Sequence, residues 1–169
     1  MKGTLERDTL NHLAGLFVDV SGPTHEFRTL VQAAAATFTE HRLSVAAKVY
    51  VNEEDADVIK ADDCLLLYPR GWRPINATVG GYVYEFYVAV CAFSRIMPAD
   101  GVNAAHERAA TLLGCAIDLL LSNHSYEPAH WTAARPDEPA DLADEIAEAL
   151  GALGRSSCHQ MALQIPVDY

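Results

Sequence analysis

The chain has 169 residues, half of them hydrophobic, with 12 basic and 23 acidic side chains and a formal charge of −11. That length accommodates one domain with a sizeable core. Only three lysines and nine scattered arginines are present, which argues against a dedicated binder of duplex DNA, since such proteins neutralise phosphates with Lys and Arg. No apolar run reaches the roughly 18 residues of a membrane-spanning helix. The stretch Met1–Asp8 carries no apolar signal core, so a soluble, unexported protein is expected. The acidic balance itself mainly sets solubility and non-specific binding.

Thr4 to Phe17 reads as a short helix, with Leu10, Leu13, Leu16 and Phe17 near helical spacing. Ser21-Gly22-Pro23 breaks it, and Thr24 is placed to cap the next helix. There Phe27, Leu30, Val31, Ala34, Ala35 and Phe38 form an amphipathic stripe. Leu43 to Val51 is expected to be a strand. The acidic stretch Glu53 to Asp57, extended by Asp62 and Asp63, reads as a loop. Hard cations take oxygen ligands, but no calcium-loop glycine or spacing is present.

Cys64 to Tyr68 is a second strand, expected to stop at Pro69. Arg70-Gly-Trp72-Arg73 follows as a loop or as an irregular continuation of the strand. Thr78-Val-Gly-Gly then turns into Tyr82 to Ser94, the strongest strand in the chain. One of its faces carries Tyr82, Tyr84, Phe86, Val88, Val90 and Ala92; the other carries Val83, Glu85, Tyr87, Ala89, Cys91 and Phe93. A half-exposed strand alternates apolar with polar residues. This one needs cover on both sides, from helices, a second sheet or another subunit. Asn103 is placed to cap a helix whose stripe runs from Ala105 through Leu112, Leu113, Ala116 and Leu120. Residues 122 to 139 hold three prolines and little periodicity and read as a long loop. An acidic helix follows over Asp141 to Leu153, then a last strand over Cys158 to Val167.

The expected fold is α+β: an antiparallel or mixed sheet built on a long hairpin and packed by amphipathic helices. It forms one domain over residues 1–169, with 1–40 as a helical addition to a sheet-and-helix body over 43–169.

Phosphate-loop, dinucleotide and nucleophile-elbow motifs are absent from the sequence. The seven histidines form no close ligand pair; His124 and His130 share the long loop and could meet a metal only through the fold. Cys64, Cys91, Cys115 and Cys158 lack C-x-x-C spacing and read as buried reduced thiols. Cys91 as a nucleophile has no local support. Glu85 on an apolar strand is either an acid or base with a raised pKa or the partner of an arginine, among Arg70, Arg73 and Arg95. Arg70, Trp72 and Arg73, with Tyr84 and Trp131, are residue types enriched at binding hot spots and mark a candidate interface.

The order of helices, hairpin, long amphipathic helix, loop, helix and terminal strand resembles the tail terminator and neck proteins of long-tailed phages. Leu65-Leu-Leu-Tyr-Pro69, Tyr82 to Phe93, the Ala104 to Leu121 helix and the closing strand to Val167 carry that likeness. The resemblance implies a non-enzymatic virion protein without cofactors. It implies a homo-oligomeric, hexameric ring that caps the tail tube and joins it to the neck or connector proteins. DNA would pass such a ring without being held tightly, and acidic segments would line the passage. A small metal- or ligand-dependent enzyme, with its site near Glu85 and the 122–139 loop, and a monomeric adaptor are the other classes.

Duplex DNA is expected to bind no tighter than micromolar at ordinary salt. A fluorescence-anisotropy titration checks this; sub-micromolar affinity that falls steeply with added salt would overturn it.

Overall fold

The computed structural model describes residues 2–36, 48–78, 81–101, 103–122, 131, 133–139, 142 and 144–168. The elements in chain order are α1 (Lys2–Phe17), β1 (Val18–Asp19), β2 (Gly22–Pro23), α2 (His25–Ala35), β3 (Lys48–Val51), β4 (Asp63–Thr78), β5 (Gly81–Arg95), α3 (Ala104–Ser122), β6 (Ala133–Pro139), α4 (Asp144–Gly151) and β7 (Gly154–Asp168). The fold is α+β. Five strands form a mixed sheet in the order β3-β4-β5-β7-β6, with β3 parallel to β4 and the other pairs antiparallel. The short β1–β2 ribbon stands apart from it.

The main core lies on one face of the sheet. Phe86, Val88, Val90 and Ala92 of β5 pack there with Leu65 and Leu67 of β4 and Met161, Leu163 and Ile165 of β7. The covering helices supply Leu10, Leu13 and Phe17 from α1, Phe27 and Val31 from α2, and Leu112, Ala116 and Leu120 from α3. The helical spacing of these residues is what places them on single buried faces. Thr24 caps α2 as expected, accepting the Phe27 N–H at 3.4 Å, and its own hydroxyl donates to the Leu16 carbonyl at 2.7 Å. The first two helices therefore share the sheet's core. Phe38, the last residue of the expected stripe, and residues 43–47 of the expected strand lie outside the described residues.

A second, smaller core lies on the opposite face, where Cys64, Leu66, Ala89, Cys91 and Phe93 meet Ile59 and the α4 residues Ile146 and Leu150, with Leu142 just before the helix. Both faces of β5 are thus covered by the protein's own elements along residues 88–93.

Three expectations about strand limits are corrected. Pro69 does not end β4, which continues to Thr78 through register shifts at Pro69/Gly71 and Pro74/Asn76. Arg70 and Ile75 are the extra residues at those shifts, and Gly71 takes φ 127°, a value that glycine adopts without cost. Both prolines are tolerated for a common reason. The Leu67 carbonyl accepts from Asn52 N–H at 2.8 Å, so Leu67 directs its backbone groups away from β5. Pro69 and Pro74, opposite Val88 and Tyr84, share the parity of Leu67 opposite Val90. Their missing N–H groups thus fall on the outer edge, where no pairing with β5 is lost. Second, the segment expected as a loop over 122–139 contains β6, paired with β7 from Ala133↔Gln164 to Pro139↔His159. Third, the last strand starts at Gly154, four residues before Cys158. A Cβ at Gly154 would overlap the Ser94 carbonyl and the Phe93 ring, so only glycine lets β7 approach the end of β5.

The cysteines divide in two. Cys64 and Cys115 are buried free thiols, as expected. Cys91 and Cys158, read as reduced, are instead joined in a disulfide between directly opposed residues of β5 and β7. Their separation of 67 residues hid the pairing, which only the strand register reveals.

A buried ionic network ties α3 to the end of β5. Arg108 is 3% exposed. Its guanidinium donates to both Asp100 carboxylate oxygens at 2.7 Å, to Ser94 Oγ at 2.9 Å and to the Arg95 carbonyl at 2.9 Å. Ser94 Oγ in turn donates to Asp63 at 2.6 Å. Burial pushes the Asp63 carboxyl above its usual range, against the opposing effect of the Ser94 hydrogen bond and the Arg108 charge. Sequence periodicity overlooked Arg108, since it sits within the apolar stripe of α3.

Arg108→Ala leaves the Asp100 carboxylate without its bidentate partner. It is expected to cost about 3–5 kcal/mol in urea unfolding. Arg108→Lys should recover only part of that, because an ammonium cannot make the forked contact. A loss below about 1 kcal/mol in Arg108→Ala would show that the network is dispensable.

Candidate functional site

α4 covers only one half of the second sheet face. On the other half, β4, β5, β7 and β6 bring together Arg73, Glu85, Tyr87, Gln160, Arg135 and Asp137. Strand alternation puts them on one side: Arg73 is opposite Glu85, Tyr87 is opposite Ala162, and Arg135 is opposite the same Ala162 from the far side.

Glu85 is the centre of this group, with its side chain only 3% exposed. Oε1 accepts from Arg135 at 2.6 Å, and Oε2 accepts from Arg73 at 2.8 Å and from the Tyr87 hydroxyl at 2.5 Å. Arg135 also donates to Asp137 at 3.1 Å, and Gln160 donates to Asp137 at 2.8 Å. The result is a hydrogen-bonded ladder across four strands. Burial alone would raise the Glu85 carboxyl; the hydrogen bonds from Tyr87 and Arg135, with Arg73, outweigh it and hold the group below its ordinary range. The hydrogen bond to Glu85 pushes the Tyr87 phenol up. Gln160 and Arg135 hold Asp137 down. A carboxylate saturated with donors and fixed in its ionised form is poorly suited to shuttle protons at neutral pH. The ladder is built to be rigid and charged.

Of the arginines expected to partner Glu85, Arg73 does so. Arg95 pairs with Asp62 at 3.4 Å and donates to the Ile59 carbonyl at 3.2 Å. Arg135 is the partner that sequence reasoning missed. It lies 50 residues away on a strand taken for a loop, and no local signal marks it.

The five candidate interface residues separate. Arg70 and Arg73 are exposed on β4. Trp72 is turned to the main core, stacked on Phe86 at 4.3 Å between ring centres and edge-on to Tyr84 at 6.2 Å. Its indole N–H donates to Glu6 of α1 at 3.0 Å. Trp131 is 1% exposed within the same core. Among the described residues no group of three or more His, Cys, Asp or Glu side chains is arranged to hold a metal ion. His41, His124 and His130 lie outside those residues. Among the described residues no helix is long and apolar enough to cross a membrane.

No protein-family model and no curated protein matches the chain. Among solved structures, the chain is similar to the PVC sheath/tube terminator of an extracellular contractile injection system in its extended state. The TM-score is 0.42 at 7% identity, over 85% of this chain and 55% of that one. The chain spans about half the length of that protein.

The ladder has a signed pH dependence. An unfolded Glu titrates near about 4.3, and folded Glu85 titrates lower. Its contribution is therefore complete above that unfolded value and is lost as pH falls through the folded one. Asp63, raised in the fold, acts in the opposite sense: its contribution is present below its unfolded value and lost as pH rises through the folded one. Glu85→Gln is expected to cost about 2 kcal/mol at pH 7 and to flatten the acid limb of melting temperature against pH. An acid limb unchanged from wild type would remove Glu85 from this role.

Proposed function

We propose that this chain is a non-enzymatic structural protein of a phage tail or phage-tail-like particle. In this reading it acts as a ring-forming terminator that caps the tail tube and joins it to the connector. The observation that carries the non-catalytic, docking part of the reading is the ladder around Glu85. A sheet face that stops being covered by α4 is finished with fixed, mutually neutralised charges, with Arg73 62% and Arg135 50% exposed. Such a surface is preorganised for contact and loses little side-chain entropy when a partner seats on it.

The terminator part rests on the order of elements. Two helices, a short strand, a long hairpin, a long amphipathic helix, the strand β6, a short helix and a closing strand follow one another; this is the order of the resemblance except that β6 lies where a loop was expected. Self-association is assigned to the β4 side, through Arg70 and Arg73, with Trp72 and Tyr84 supporting that strand from beneath. Trp131 then acts through the core that backs β6. The acidic turn of Glu53 to Asp57 supplies carboxylates that a neighbouring copy can present to these arginines. A contact between two different surfaces of this kind closes into a ring when its rotation permits. The tail tube and connector are the further partners, and DNA is a passenger rather than a ligand. Residues 1–169 act as one domain, at work in the virion after assembly in the host cytoplasm.

Sedimentation at tens of micromolar, alone and with purified tail tubes, tests this. Species several times 18.4 kDa are expected, and Arg70→Glu should weaken their formation by about 2 kcal/mol, the scale of a hot spot. A monomer under both conditions would refute the reading. Assembly indifferent to Arg70→Glu would move the contact off β4.

A further inference from the structure

Cys91 and Cys158 occupy opposed positions in the middle of the two longest-paired strands, with Cα atoms 4.0 Å apart. Strand alternation explains the closeness. Leu67 directs its backbone groups away from β5, so Leu66, opposite Cys91, directs its own towards β5. Cys91 therefore spends its backbone groups on β4. Towards β7 it forms the kind of pair whose side chains approach most closely. The two sulfurs differ in access. Cys91 is fully buried. Cys158 is partly exposed at the border of the smaller core.

We propose that this pair is a thiol–disulfide exchange site, entered from solvent only at Cys158, that staples β5 to β7 when the surroundings are oxidising. The inference does not depend on the assembly role proposed above. The oxidant is a small-molecule disulfide such as oxidised glutathione. The Cys158 thiolate attacks one of its sulfurs, breaks that S–S bond and releases one glutathione thiolate. Cys91 then gives up its proton and attacks the Cys158 sulfur of the mixed disulfide. The protein disulfide forms and the second glutathione leaves as a thiolate. Two protein thiols are oxidised and one glutathione disulfide is reduced to two thiols. Cys91 lies directly opposite Cys158 on the adjacent strand, within reach for the second step.

The other cysteines are excluded by their surroundings. Burial pushes the Cys64 thiol up to about 12 and also raises the Cys115 thiol. Neither supplies thiolate at neutral pH.

Full-length protein is reduced, freed of reductant and exposed to oxidised glutathione, then analysed by intact mass after thiol alkylation. Wild type should lose two alkylatable thiols without retaining glutathione. Its melting temperature should rise by about 10 °C, as expected for closing a loop of this separation in a chain of this size. Cys91→Ser should stop at a stable mixed disulfide on Cys158. Cys158→Ser should take up no glutathione at Cys91 while folded. Cys91→Ala serves if the serine variant does not fold. Four alkylatable thiols in oxidised wild type, an unchanged melting temperature, or glutathione on Cys91 in Cys158→Ser would each overturn the proposal.

Discussion

Burial of β5 on both faces is the constraint on which the rest of the structure depends. From Val88 to Phe93 every side chain is removed from water, and such a strand is tolerable only where each face has a partner. One face draws in three helices and the other draws in α4 with the segment around Ile59. Fully burying each Val, Leu or Phe side chain contributes about 1.5–3 kcal/mol, so this strand alone organises a large part of the stabilising surface. The demand for cover, open in the sequence between helices, a second sheet and another subunit, is met along this stretch by helices of the chain itself. Beyond α4 the apolar alternation of that face gives way to Glu85 and Tyr87, and Glu85 is itself buried. The change from apolar to charged along a single strand face marks where apolar packing ends and the ion-paired group around Glu85 begins.

The helices and the central strand were legible because their signals are local. Phe27 with Val31, or Leu112 with Ala116 and Leu120, reveal their shared face by spacing alone. Thr24 announces a cap by its chemistry. The misreadings have a common cause, which is that strand pairing is non-local. Pro69 looks like a terminator until the register shows which backbone groups face an edge. Cys91 and Cys158 look like independent buried thiols until the same register sets them opposite one another. Arg135 is invisible as a partner of Glu85 because the strand between them, β7, arrives last in the chain.

Two ionic groups of contrasting design lie on either side of the sheet's middle. Arg108 and Asp100 are enclosed, and their value lies in fixing how α3 leaves β5. The arginines about Glu85 keep part of their guanidinium surface in water while their geometry is set by a buried carboxylate. The first arrangement costs dearly when broken, because a buried charge is left unpaired. The second leaves about half or more of each arginine side chain in water, with Arg73 62% and Arg135 50% exposed.

The outward-facing prolines of β4 carry a consequence for how copies of this protein can meet. Among the described residues no strand pairs with β4 beyond Leu67 on the side away from β5, since β3 pairs only with Cys64 to Leu67. An open edge is ordinarily a template for strand addition, which ends in sheets that grow without limit. With donors deleted at Pro69 and Pro74, and the line of the strand broken at Arg70 and Ile75, a continuous ladder cannot propagate there. Neighbours on this side must be held by side chains instead. Side-chain contacts involving arginine are screened by salt and depend on geometry that a continuous sheet would ignore. The edge is thereby biased towards associations that are finite and reversible.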